Sequence, residues 1–172
     1  MSKLDQIRPR VEKYIRSVID FPRKGVNFRD ITPMFAHPDL IKDLCDAIAD
    51  HVRSDLGPID AVAGIEARGQ HYHCINICKS IYIILTHIIN TIIQAPQDTV
   101  EIQKDSFAHG SKILIVDDLL ATGGTLTAAI EVLKKAGGII AEAFLLIELK
   151  PLNGRNAIQD TTVTALIQYD EA

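Results

Sequence analysis

The chain has 172 residues, 47% of them hydrophobic and 23% charged, which suits one foldable globular domain and excludes a disordered or low-complexity segment. A formal net charge of −4 offers no basic face to nucleic acid or an anionic membrane, so neither is expected as a partner. The odd set Cys45, Cys74 and Cys78 and the polar opening Met1-Ser2-Lys3-Leu4-Asp5 lead to the expectation of a cytoplasmic protein rather than a disulfide-stapled secreted one.

Taken in chain order, Leu4, Ile7, Val11, Tyr14, Ile15 and Val18 recur at three- and four-residue steps. This predicts an opening amphipathic helix that ends before Phe21-Pro22. Leu40, Ile41, Leu44, Cys45, Ile48 and Val52 predict a second helix, started near Pro38-Asp39 and stopped by Gly57-Pro58. Ala61 to Ile65 and Ile113 to Val116 are short, continuously apolar runs of the kind a strand buried on both faces requires. Thr125 to Ala136 reads as a helix closed by Gly137-Gly138, and Ile139 to Leu149 as a further strand. Helices alternating with buried strands predict a single α/β domain over 1–172, a mostly parallel twisted sheet with helices on both faces.

Residues 70–99 differ in character from their flanks. The composition changes at Gln70 and reverts near Thr99, with Lys79 and Asp98 the formally charged residues between. Ile81, Ile84, Leu85, Ile88 and Ile92 share a helical face, while Ile81 to Leu85 fits a buried strand equally well, so a core element of either type is expected. Asn76, Lys79, His87, Asn90 and Gln94 interrupt the tract too often for a membrane span. His71, His73, Cys74 and Cys78 follow no standard zinc spacing, and no metal held directly by the protein is expected.

The chemistry concentrates in Val116-Asp117-Asp118-Leu119-Leu120-Ala121-Thr122-Gly123-Gly124-Thr125. An apolar strand runs into two acids, then a glycine-bearing turn, then a helix expected to open on the hydroxyl side chain of Thr125. Gly123 and Gly124 permit backbone conformations in which successive N–H groups surround a phosphate at a helix N-terminus. Thr122 and Thr125 can add hydroxyl donors, and the carboxylates of Asp117 and Asp118 suit the adjacent hydroxyls of a ribose. The loop has no lysine and lacks the three glycines of a dinucleotide fingerprint, which excludes a P-loop and a Rossmann site. A phosphorylated ribose is the ligand this arrangement implies.

The same ten residues resemble the phosphoribosylpyrophosphate (PRPP) motif of the type I phosphoribosyltransferases. Within that superfamily, Phe21-Pro22-Arg23-Lys24-Gly25-Val26-Asn27-Phe28-Arg29-Asp30-Ile31-Thr32-Pro33, Gly64-Ile65-Glu66-Ala67-Arg68-Gly69, Val100 to Asp105, Glu148-Leu149, Gly154-Arg155 and Leu166-Ile167-Gln168-Tyr169 resemble the adenine phosphoribosyltransferase family. The resemblance covers 1–69 and 100–172. It implies a type I phosphoribosyltransferase fold with a small N-terminal hood over 21–36, and conversion of adenine and PRPP to AMP and pyrophosphate. It implies that Asp117 and Asp118 hold the ribose hydroxyls and that Ala121, Thr122, Gly123, Gly124 and Thr125 wrap the 5′-phosphate. Glu66, Ala67 and Arg68 would meet the pyrophosphate, with the peptide before Ala67 in the cis form. Phe28 would stack on adenine while the backbone of Asn27 and Arg29 bonds its edge, Mg2+ would be held mainly by PRPP, and the chain would form a homodimer. Read without the resemblance, Phe28 fits a core aromatic and Arg29-Asp30 a surface ion pair.

One departure falls on the catalytic side. After Gly69 the family continues into a basic, proline-containing flap and a segment carrying a tyrosine and a glutamate, whereas 70–99 is shorter and has no matching residue for the flap cations or that acid. The catalytic acid or base is therefore unassigned. Two functions of different class follow: a purine salvage transferase, or a catalytically impaired nucleotide-binding or dimerisation partner that keeps the pocket without the flap.

Overall fold

The computed structural model describes residues 1–65, 82–87, 100–102 and 106–171. Helix α1 (Lys3–Glu12) opens on a reciprocal cap, in which Asp5 N donates to Ser2 Oγ (3.1 Å) and Ser2 N to Asp5 Oδ2 (3.0 Å). Its buried face is Leu4, Ile7 and Val11. Arg8 Nε donates to Leu166 O (2.7 Å), tying this helix to the last strand. The expected continuation of the helix to Val18 does not occur. Arg16–Ile19 instead form strand β1, paired antiparallel with β2 (Asn27–Asp30) from Arg16↔Asp30 to Ile19↔Asn27. The side-chain spacing of Ile15 and Val18 fits a helix, but β-branched residues also suit a strand, and a partner strand nearby decides the matter. Asp20 (φ 60°) and Gly25 (φ 89°) turn the connection, and Gly25 N donates to Asp20 Oδ1 (2.7 Å).

A 3-10 turn (Thr32–Ala36) leads into α2 (Pro38–His51), then a π-type turn (Val52–Leu56) that ends at Gly57 with φ 73°. These bounds match the predicted helix from Pro38 to the Gly57-Pro58 stop. Strands β3 (Ala61–Ile65), β4 (Tyr82–His87), β5 (Val100–Glu101), β6 (Lys112–Leu120), β7 (Ile139–Leu149) and β8 (Val163–Tyr169) form one sheet in the order β5-β4-β3-β6-β7-β8. All its pairings are parallel except β4 with β5. For residues 82–87 the strand alternative therefore holds over the helical one. Helix α3 (Gly124–Lys135) joins β6 to β7.

Alternate residues of the central strands feed two cores. Leu114, Val116, Phe144 and Leu146 pack with α1 and α2, while Ile113, Ile115, Ala143 and Leu145 pack with α3 residues Leu126, Ala129, Ile130 and Leu133. Burial on both faces is why these strands read as unbroken apolar runs. Among the described residues no helix is long and apolar enough to cross a membrane.

Beneath α2, Glu142 of β7 is 2% exposed, and His51 meets it through Nε2 (Oε1 at 2.8 Å) while Nδ1 meets Asp55 Oδ2 (2.9 Å). A neutral imidazole has one N–H, so both contacts are hydrogen bonds only when the ring is protonated. The hydrogen bond to Glu142, opposed by burial and helped by the charges of Glu142 and Asp55, raises the His51 pKa above its ordinary value. Because the folded pKa lies above the unfolded one, this stabilisation is complete below about pH 6.5 and disappears as pH climbs through the raised value. We expect His51→Gln to unfold about 1–2 kcal/mol more easily than the wild type at pH 6. That gap should narrow steadily toward pH 9 in parallel thermal melts; a gap independent of pH would show that the imidazolium is not the stabilising species.

Candidate active site at the carboxyl edge of the sheet

Parallel strands deliver their carboxyl ends to one edge, and open α/β sheets bind ligands there. Strand β6 continues four residues past the predicted Val116, so Asp117 and Asp118 lie within the strand and the turn begins only after Leu120. Asp117 is 8% exposed and accepts a hydrogen bond from Asp118 N at Oδ1 (2.9 Å). Burial, with the Asp118 carboxylate beside it, pushes the Asp117 pKa up to about 8. Asp117 thus favours its protonated form at neutral pH.

The turn after β6 is built on Gly123. Its φ of 85° lies in the left-handed region, and it rather than Thr125 caps α3, whose first helical residue is Gly124. The helix thus opens one residue before the expected Thr125 and on a glycine cap, because a second constraint acts there. A Cβ on Gly123 would stand 2.3 Å from Gly154 O and 3.1 Å from Ala157 Cβ. Gly154 is equally confined, since its own Cβ would come 2.3 Å from Ala121 O. Thr127 Oγ1 lies 2.8 Å from Gly123 O and 3.1 Å from Ala157 O, so one hydroxyl bridges the two segments. Gly123 is buried by this contact while Thr122, Gly124 and Thr125 stay exposed at the start of α3, with no acidic residue in its first turn. Backbone N–H groups and two hydroxyls at a positive helix end suit a phosphate.

The β1–β2 ribbon reaches the same edge from outside the sheet. The Arg29 guanidinium lies 3.9 Å from the ring centroid of Tyr169, the last residue of β8, and Arg29 Nη1 also donates to Ser17 Oγ. Asn27 and Arg29 share one face of the ribbon, and Phe28 shares the other with Asp30. Phe28 is half-buried with the Phe21 ring edge-on at 5.3 Å. Arg29 and Asp30 do not pair with each other as a surface ion pair would: Asp30 is held by Arg16 (Nε–Oδ2 3.1 Å) and Thr32 N (2.9 Å). Asn27 Oδ1 and Arg29 Nε are buried with no hydrogen-bond partner among the described residues.

The structure therefore gathers Asn27 to Arg29, Asp117, Asp118 and Ala121 to Thr125 along one edge. Glu66, Ala67 and Arg68, the cis peptide expected before Ala67, and the histidines and cysteines of 71–78 lie outside the described residues. Two participants carried no assigned role in the sequence: Thr127, hidden as an ordinary helical threonine, and Gly154, visible only as a lone glycine in the matched Gly154-Arg155 pair.

A strand-bound acid pair followed by a glycine-capped helix start defines a phosphoribosyl-binding enzyme class, and residues 32–159 match the phosphoribosyl transferase domain family. The chain is 46% identical to adenine phosphoribosyltransferase of Caenorhabditis elegans, with 100% of this chain and 99% of that one covered. That comparison runs over 183 positions, more than the 172 residues here, so the relative carries positions without a counterpart in this chain. Among solved structures, adenine phosphoribosyltransferase of Rhodothermus marinus superposes with a TM-score of 0.78 at 29% identity (96% and 99% covered). The Saccharomyces cerevisiae enzyme, complexed with an iminoaltritol bisphosphate and adenine, superposes with 0.83 at 25% identity (94% and 99% covered). The chain belongs to the adenine phosphoribosyltransferase family.

Two substitutions probe this edge. Gly123→Ala places a methyl group against Gly154 O in a backbone conformation that alanine resists, so a loss of about 2 kcal/mol or more in stability, with loss of AMP binding, is expected in denaturant titrations and calorimetry. Asp117→Asn removes an acid whose folded pKa of about 8 exceeds its unfolded value. Wild-type stability from this group is complete below about pH 4 and declines as pH rises toward 8, so the variant should melt higher than wild type at pH 8 and gain nothing at pH 4. An Asp117→Asn protein that melts lower than wild type at pH 8 would contradict the buried, protonated assignment.

Proposed function

We propose that this chain transfers the 5-phosphoribosyl group of PRPP to N9 of adenine, releasing pyrophosphate and forming AMP. The observation that carries the reading is the Asp117-Asp118 pair running into the Gly123-capped start of α3, in a chain aligned from end to end with an adenine phosphoribosyltransferase. The 5′-phosphate sits against Ala121, Thr122, Gly123, Gly124 and Thr125, and the ribose hydroxyls against Asp117 and Asp118. Arg68, with the backbone of Glu66 and Ala67, faces the pyrophosphate. Phe28 lies flat on adenine, and the backbone of Asn27 and Arg29 bonds its edge.

In the reaction the C1′–N9 bond forms as the C1′–O bond to pyrophosphate breaks, and the N9 proton leaves the base. Positive charge develops on the ribose ring, close to carboxylates held in a fixed, partly dry position, so catalysis is chiefly positioning and charge stabilisation. Mg2+, held mainly by the oxygens of PRPP itself, would offset charge on the leaving pyrophosphate. The same reading carries a cytoplasmic homodimer.

The alternative, an impaired partner that keeps the pocket, rests on the near absence of charge across 70–99. Full-length relatedness to named enzymes favours the active reading. The two separate in one assay of adenine, PRPP and Mg2+ with the purified chain: formation of AMP supports the transferase, and AMP binding without turnover supports the impaired partner. Asp117→Asn combined with Asp118→Asn should lower AMP affinity by at least about a hundredfold, and unchanged affinity would remove the ribose assignment.

A further inference from the structure

The segment that confines Gly123 is itself held from below. Glu148 lies on β7 directly across from Leu120, the residue that leads β6 into the phosphate turn. Its side chain is 6% exposed and takes a two-pronged contact from Arg155, with Nε–Oε1 at 2.7 Å and Nη2–Oε2 at 2.8 Å. Gln168 Nε2 on β8 donates to the same Oε2 (2.8 Å), and Arg155 Nη1 donates to Val163 O (2.8 Å). A planar guanidinium fixed at three of its nitrogens cannot turn without breaking several charge-assisted bonds. The residue before Arg155 is Gly154, whose carbonyl oxygen confronts Gly123 and whose Cα faces Ala121 O.

We propose that Arg155, clamped by Glu148 and Gln168, is a positioning residue that sets the phosphate turn 121–125 through the Gly154–Gly123 backbone contact. It touches no substrate atom. The proposal rests on the assignment of this turn to the 5′-phosphate and extends it: the turn has little means of holding its shape, because it is built from small residues, and it takes that shape from a neighbouring loop. An ion pair serving stability alone could stand anywhere on β7. This one joins β7 to the neighbouring β8, at the level where β6 gives way to the turn, and its remaining N–H group reaches the return leg of the same loop, at Val163 O.

The test compares Arg155→Met, which keeps the length and loses the charge and fork, Arg155→Lys, which keeps the charge alone, and Thr125→Val in the turn itself. The readouts are KM for PRPP, KM for adenine, AMP affinity by calorimetry, and Tm. For Arg155→Met we expect KM for PRPP to rise and AMP affinity to fall by about tenfold, with KM for adenine within about twofold of wild type, and Arg155→Lys to recover part of the loss. Equal losses toward PRPP and adenine, following a lowered Tm, would mean that the pair is merely structural and overturn the proposal. If Thr125→Val weakens AMP binding and Arg155→Met does not, the positioning role falls while the phosphate assignment stands. If neither weakens it, the phosphate assignment itself falls, and the positioning role with it.

Discussion

The carboxyl edge depends on β6 being trapped between β3 and β7 and covered on both faces. Ile113 and Ile115 are held by α3, and Leu114 and Val116 by α1 and α2. A strand in that position has no freedom to shift its register, since a slip of one residue would send every apolar side chain to the wrong core. The acids that follow Val116 inherit this rigidity. Loops tolerate change and strands do not, so two carboxylates placed within a central strand are as fixed as the fold allows.

That placement has a cost which explains its chemistry. Asp117 is pushed by burial toward its neutral form, and the protein accepts the penalty without supplying a cation from its own described residues at that position. Such a site is undersatisfied until a ligand arrives. A sugar's adjacent hydroxyls can donate to the carboxylates, and a positively charged ring in the transition state would interact with them more strongly still, so the energy lost on folding is recovered on binding. Asn27 Oδ1 and Arg29 Nε at the ribbon are also buried polar atoms without a hydrogen bond among the described residues.

Much of this was legible in the sequence because it is local. The run Ile113 to Val116, the Pro38 start and Gly57 stop of α2, and the span Ile139 to Leu149 each carry their own signal within a few residues. Arg16 to Ile19 were misread because helical spacing and β-branched composition gave opposing signals, and the pairing with Asn27 to Asp30 that resolved them is not a local property. Thr125 looked like the first helical residue because a hydroxyl side chain suits a helix start. The preference for Gly123 comes from Gly154, thirty-one positions away, and nothing in the immediate sequence announces that contact.

The same distinction governs how base recognition and phosphate recognition are joined. The turn 121–125 is fixed to the sheet by covalent continuity with β6, but the β1–β2 ribbon forms its own two-stranded sheet, with no strand pairing to the main one among the described residues. Arg29 joins it to the main sheet, over the Tyr169 ring at the end of β8 and 4.0 Å from Glu171 Oε2. An arginine over an aromatic face is a directional contact that still permits sliding, unlike a ladder of hydrogen bonds. On the proposed reading, the ribose and phosphate contacts are set by the core, while the base contacts depend on a side-chain stack. If Phe28 stacks on the purine as proposed, base recognition rests on an element joined to the sheet by side chains, and phosphate recognition on one joined to it through the backbone.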